Sequence, residues 1–238
     1  MNNSLLDKAN IDNLTALWRA MGTEPEIGGI AGLRASRGWP HRFWFDWGHQ
    51  PVFEGHELAR LPSRALVPVW AEGSALERAL VGQGFGVALE QRAMHLSMDG
   101  EGSRPEDGLQ LSRVLTPAQV GQWAALCGRA FGYEVAAATV RRLLGVSEAG
   151  LLLASREGSA VATALLYRTG EVVGIHQVGV VPECRGQGIA HALMLQLMAL
   201  AREQGGRYLT LQASAAGEGL YRRLGFEPRF PIRSYRRG

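Results

Sequence analysis

The run Val180-Val181-Pro182-Glu183-Cys184-Arg185-Gly186-Gln187-Gly188-Ile189-Ala190 joins an apolar strand to an apolar-periodic helix through a short loop carrying Arg185, Gly186 and Gly188. A helix N-terminus leaves its first backbone N–H groups without partners and carries a partial positive charge. Glycines just before it let an anion approach the backbone, so the run has the composition of a phosphate site. An ordinary strand-turn-helix junction has the same spacing, and the loop by itself leaves both readings open.

Working outward, the pattern after the Gly/Pro/acid-rich segment Asp99–Leu109 alternates short apolar runs with helical periods. That segment has the composition of a linker and divides the chain in two. Leu109 to Leu115 reads as a strand. Thr116 followed by Pro117 gives an N-cap with proline at the first helical position, for a helix to about Phe131. Val135 to Leu144 reads as a second helix stopped by Gly145. Leu151 to Ala154 and Val161 to Tyr167 read as a hairpin around Arg156-Glu157-Gly158. Val172 to Val181 is a further strand. Ile189, Leu193, Leu197 and Leu200 fall on one face of a helix from Ile189 to Glu203, with Gly205 as its stop. Tyr208 to Gln212 is a strand, Gly219 to Leu224 a short helix, and a last strand follows.

The R-x-x-G-x-A spacing after a strand ending Val-x-Pro, followed by Leu220-Tyr221-Arg222-Arg223-Leu224-Gly225-Phe226, resembles the GNAT superfamily of acyl-CoA-dependent N-acetyltransferases. The resemblance runs from about Leu109 to the end of the chain and covers the first half only in part. It implies an α/β (α+β) fold with a mixed, mostly antiparallel central sheet and a splayed strand at the cofactor site. It further implies acetyl-CoA as cosubstrate, its pyrophosphate on the amides of Arg185, Gly186, Gln187, Gly188, Ile189 and Ala190. The backbone of Val178, Gly179 and Val180 would meet the pantetheine and the thioester carbonyl, and Ser214 occupies the region of a further pantetheine contact, although helix capping suits it equally.

Acyl transfer to an amine needs a base for the ammonium and an acid for the leaving thiolate. Tyr221 stands where the superfamily commonly places its acid, and a phenol pKa near 10 lies above that of a thiol. His176, nine residues before Arg185, stands where aralkylamine-type members carry a strand histidine, but the partner histidine two residues earlier is replaced by Gly174. A structural histidine is the equal alternative, with Glu171 or water as other bases. Cys184 lacks an evident base and reads as a tolerated small residue.

The first half contains an internal match. Displacing the sequence by 141 positions lays Gly84-Phe85 on Gly225-Phe226 and Glu77 on Glu218, with Leu80 where the second copy has Tyr221. Either this is a repeat or a coincidence of a common strand-helix unit. As a repeat it makes residues 1–106 a degenerate GNAT-like domain without a cofactor site and 107–238 the acetyltransferase domain. The aromatic segment Trp39, Phe43, Trp44, Phe45 and Trp47 reads first as a core strand packing on the second domain, and otherwise as the wall of an acceptor pocket. His41, His49, His56 and His95 have no partner legible in the sequence.

Composition narrows the class. The net charge of +3 over 238 residues, with Lys8 the sole lysine and no long basic run, gives no reason to expect nucleic acid. Two cysteines, Cys127 and Cys184, make no disulfide framework, and no zinc spacing occurs, so no metal is expected. With no signal-like N-terminus and no apolar run of membrane-spanning length, a cytoplasmic location is expected and no membrane partner. The expected partner is a small-molecule or peptide amine; monomer and homodimer both stay open. A non-catalytic acyl-CoA sensor or interaction module on the same fold is the alternative to the enzyme. A nucleotide-binding protein is disfavoured, since no G-x-x-x-x-G-K-[ST] sequence occurs.

Overall fold

A computed structural model describes residues 1–25, 29–36, 38–53, 57–99 and 108–238. The linker expected at Asp99–Leu109, the boundary after residue 106 and His56 fall largely or wholly outside them. In chain order the elements are α1 (Asn3–Ala20), β1 (Thr23–Pro25), β2 (Arg34–Ser36), β3 (Phe43–Trp44), β4 (Val67–Val69), α2 (Ala75–Gly82), β5 (Phe85–Ser97), β6 (Gln110–Arg113), α3 (Pro117–Phe131), α4 (Ala137–Val140), β7 (Ala149–Arg156), β8 (Ser159–Thr169), β9 (Val172–Val180), α5 (Ile189–Glu203), β10 (Tyr208–Ala213), α6 (Ala215–Arg223) and β11 (Glu227–Arg237). They fall into two compact units, Met1–His95 with Gln212–Gly238 (unit 1) and Leu96–Leu211 (unit 2).

Unit 2 carries the strands in the order β10-β9-β8-β7-β6. All neighbours run antiparallel except β9 and β10, the mixed and mostly antiparallel sheet expected. Glu157 and Gly158, both at positive φ (52° and 75°), make the two-residue turn between β7 and β8, the geometry whose twist matches a hairpin. α3 starts where its signals say: Thr116 and Gln119 form a capping box, Pro117 follows, and Gly132 ends the helix in the left-handed region. Its fully buried Trp123 donates from Nε1 to the carbonyls of Leu152 (3.0 Å) and Ala164 (3.2 Å), tying the helix to β7 and β8.

α3 and α5 lie on opposite faces. Both contact β8 and β9, and two strands about 5 Å apart have room for one helix about 10 Å wide on each side. A Cβ at Gly179 would come within 2.7 Å of Phe131 and 2.8 Å of Ala130 on α3, whereas one at Gly206 would meet Val173 and the Ala201 carbonyl of α5.

Two expectations shift. The helix foreseen from Val135 to Leu144 is one turn, Ala137–Val140, followed by a 3-10 turn at Arg141–Leu143. Ala136 at its N-cap offers no side-chain acceptor, and Thr139 and Val140 are β-branched. α6 begins at Ala215 rather than Gly219: Ser214 accepts from Gly217 N–H, and this cap overrides the poor propensity of Gly217 and Gly219.

In unit 1, β1, β2 and β3 form a small antiparallel sheet, and β11 pairs antiparallel with β4 and with β5. The aromatic segment is the core of this unit itself: Trp39, Phe43, Trp44 and Phe45 are buried. Phe43 and Phe45 cluster with Leu33, Val67, Leu80, Phe85 and Tyr235, and Trp44 stands edge-on to Trp18 of α1 at 5.1 Å. Asn10, also buried in α1, donates to the Met94 carbonyl and accepts from Gln212 Nε2, which satisfies an amide that would otherwise be costly inside.

Trp123→Phe keeps an aromatic ring but removes a donor shared by two strand carbonyls and leaves part of the buried indole volume unfilled. The expected loss is about 2–4 kcal/mol of unfolding free energy by urea titration; an unchanged midpoint would show both the indole bonds and the indole volume to be dispensable.

Candidate active site

β9 and β10 pair in parallel at three positions only, Tyr208 with Val172, Leu209 with Val173 and Thr210 with Gly174. Beyond them β9 runs on to Val180 without that partner. The register against β8 supplies the reason: Leu165 pairs with His176 but Thr163 with Gly179, so one extra residue of β9 is inserted between those pairs. Such a bulge bends and twists its strand.

Gln177 carries the bulge at φ 50°, a left-handed conformation that a non-glycine residue keeps only when its surroundings hold it. Three bonds do so. Its Oε1 accepts from Tyr133 Oη (3.2 Å) and Cys127 Sγ (3.4 Å), and its carbonyl accepts from Thr163 Oγ1 at 3.0 Å. Because of the insertion, Gly179 shares a sheet face with His176 and Gly174, the face that α3 covers. Glycine at 179 is therefore required by Ala130 and Phe131 of the helix, rather than by an approaching ligand chain. His176 is buried on this face; Val178 and Val180 are half-buried.

After β9, Pro182–Cys184 form a 3-10 turn. Gly186 and Gly188 follow at φ 74° and 76°, where L-residues are strained. A Cβ at either would meet nothing within 4 Å, so the space above the loop is open. Gly188 is the N-cap of α5 and no side chain caps the helix. Among the described residues no backbone carbonyl accepts from the amides of Gly186, Gln187, Gly188, Ile189 or Ala190. These unpaired donors stand together with the positive end of the α5 dipole.

Arg185 is turned the other way. Its Nη2 donates to the Ala130 carbonyl at 2.6 Å and its Nε to the Val180 carbonyl at 3.2 Å, so its guanidinium staples the loop to the C-terminal end of α3. Arg129 and Glu183 make a second, exposed tie between the same segments, one that contributes little in water. Gln187 donates to the Glu183 carbonyl and accepts from Arg156.

Of the residues singled out in the sequence, His176, Val178, Gly179, Val180 and Arg185 to Ala190 belong to unit 2, and Ser214 and Tyr221 to unit 1. Ser214 Oγ accepts from Gly217 N–H at 3.3 Å, the capping alternative. Tyr221 is half-buried on α6, its ring against Gly217 and edge-on to Phe226 at 6.0 Å. Loss of water around the phenol pushes its pKa up to about 12, so it holds its proton throughout the neutral range. The sequence reading missed Gln177 and Thr210; a polar residue breaking the apolar run from Ile175 to Val181 was the one available sign of the bulge.

A strand that delivers a glycine loop to a bare helix N-terminus has the geometry of an anion site. Residues 119–226 match the model of the Acetyltransferase (GNAT) family, which makes this segment a GNAT domain. The fold of the chain is similar to a GCN5-related N-acetyltransferase from Kribbella flavida (TM-score 0.68, 18% identity, covering 98% of this chain and 95% of that one). It is also similar to one from Sphaerobacter thermophilus (TM-score 0.59, 23% identity, 73% and 59% covered) and to a GNAT-family protein of Novosphingobium aromaticivorans (TM-score 0.59, 18% identity, 93% and 96% covered). No curated protein matches the chain. No helix among the described residues is long and apolar enough to cross a membrane.

Burial pushes the Cys127 thiol up to about 12, whereas Cys184 is half-exposed in the loop. At pH 8 a disulfide reagent is expected to label Cys184 alone in the native protein, and both thiols after unfolding. Equal labelling rates in the native state would show that the Cys127–Gln177 contact opens readily.

Proposed function

We propose that this chain transfers the acetyl group of acetyl-CoA to a primary amine of a small molecule or peptide, by direct attack in a ternary complex in the cytoplasm. The observation that carries the reading is the row of amides from Gly186 to Ala190 at the open end of α5, set directly after the strand that parts from its neighbour. The pyrophosphate sits on those amides, and the backbone of Val178 to Val180, past the last pair of β9 with β10, takes the pantetheine. Ser214 contributes a hydroxyl proton to the same arm while its oxygen caps α6.

In the reaction the amine nitrogen attacks the thioester carbon, the C–S bond breaks and coenzyme A leaves as thiolate. His176 takes the ammonium proton through water, and Tyr221 gives its proton to the thiolate; solvent then resets both groups. A phenol raised to about 12 is in the active, protonated form of an acid at every pH below that value. Its contribution is lost only as the pH climbs through it.

The proposal extends to the first half. β4, α2 and β5 repeat the order of β10, α6 and β11 at the displacement of 141 residues, and Ser74 caps α2 as Ser214 caps α6. We read residues 1–106 as a degenerate GNAT-like domain without a cofactor site and 107–238 as the acetyltransferase domain.

Tyr221→Phe is expected to lower kcat about 10²-fold or more with the acetyl-CoA Kd unchanged by calorimetry, and the wild-type pH profile should show no descending limb from Tyr221. Unchanged turnover in Tyr221→Phe removes the tyrosine from the mechanism. Acetyl-CoA binding without thiol release across a panel of amines would return the chain to the non-catalytic sensor. His176→Asn is expected to abolish the rise of kcat/KM with pH between about 5 and 8; a profile matching wild type would exclude the histidine.

A further inference from the structure

Among the described residues of unit 2, Thr210 Oγ1 alone is a fully buried side-chain polar atom without a hydrogen-bond partner. Thr210 is the last residue of β10 that pairs with β9, and its partner in register is Gly174. Residues paired across neighbouring strands share a face, and so do residues two apart on one strand. Thr210, Gly174 and His176 therefore occupy one face at the fork where the two strands part, and Gly174 between them carries no side chain. The strand spacings put the Cα atoms of Thr210 and His176 roughly 8 Å apart, a gap that a hydroxyl, a water and an imidazole bridge.

The surroundings are polar. Tyr167 pairs with Gly174 on β8, Tyr208 is two residues before Thr210, and Cys127 faces the same side from α3 through its contact with Gln177. Tyr133 reaches Gln177 from the same side and is exposed, whereas Tyr167, Tyr208 and Cys127 are buried. A hydroxyl closed off from solvent without a partner is costly, and a buried water is the usual partner of such a group.

We propose that Thr210 and His176 hold one ordered water at the fork of β9 and β10, which makes Thr210 the residue that positions the proton acceptor of the transfer reaction. The ammonium N–H of the attacked amine gives its proton to this water as the water gives one of its own to the imidazole. The water is thus restored, and the imidazolium passes the proton to solvent. This rests on His176 acting as the base, and Thr210 does not itself touch the reacting atoms.

The test compares Thr210→Val, which keeps the shape and deletes the hydroxyl, with Thr210→Ser, which keeps the hydroxyl. The first readout is the titration of His176 in the unliganded, ¹⁵N-histidine-labelled full chain, assigned by its loss in His176→Gln. Without the water the imidazolium loses an acceptor and is further desolvated, so Thr210→Val is expected to lower the midpoint by about one unit. Thr210→Ser should leave it in place. Thr210→Ala, free of any added methyl, gives the same shift as Val and serves if Val does not fold. An unshifted midpoint in the hydroxyl-less variants, or a wild-type His176 that does not titrate above about pH 4, overturns the proposal.

The second readout is turnover. Thr210→Val should lose about tenfold or more in kcat with acetyl-CoA affinity retained, and Thr210→Ser should recover it. A shifted titration in a protein that acetylates no amine would sink the enzymatic reading and leave the shared water standing. Wild-type turnover with Thr210→Val unchanged in both readouts would sink the water alone.

Discussion

The bulge at Gln177 is the constraint on which unit 2 is organised. A parallel pair of strands with no interruption would continue its ladder and leave no backbone free between them. One residue inserted into β9 opposite Ala164 ends that regularity. The left-handed conformation it demands is held by side chains of α3, β8 and the segment after α3, namely Cys127, Thr163 and Tyr133. Beyond the three residues at which β10 follows β9, β9 runs on to Val180 paired with β8 alone. The same insertion turns Gly179 onto the face of α3 and fixes how near that helix can come.

The glycine loop depends on this arrangement through Arg185. An arginine beside a phosphate site invites the assumption of a direct charge contact, yet here both donating nitrogens are spent on main-chain carbonyls, those of Val180 and Ala130. Its work is to set the loop at the end of α3, so that the glycines present amides and the helix dipole supplies the field. The charge still raises the local potential, but the donors the loop presents are main-chain amides.

Much of this was legible in one dimension because the signals are local. The capping residues of α3, the glycines ahead of α5 and the two-residue turn at Glu157-Gly158 act within a few positions of where they stand, and α3 and α5 have the limits their residues indicate. The errors also have local causes. Ala136 gave no warning that α4 would last one turn, and Gly217 and Gly219 concealed an early start to α6 that Ser214 enforces. The aromatics around Trp44 were correctly a core stretch, but which core they belong to was not available, since Trp18, Val67 and Tyr235 meet them only in the folded unit.

By itself the sequence determined the class of the chain: a glycine loop between an apolar strand and an uncapped helix, with a tyrosine motif downstream, leaves few alternatives, because backbone geometry and helix polarity follow from residue type at short range. The tertiary structure alone decided that Gln177 adopts a left-handed conformation, that Arg185 is a staple and that Thr210 is buried at a strand fork facing the side of His176. Each depends on partners 14 to 55 positions away or on a register between separate strands, and no spacing within a single segment encodes which distant carbonyl a guanidinium will reach.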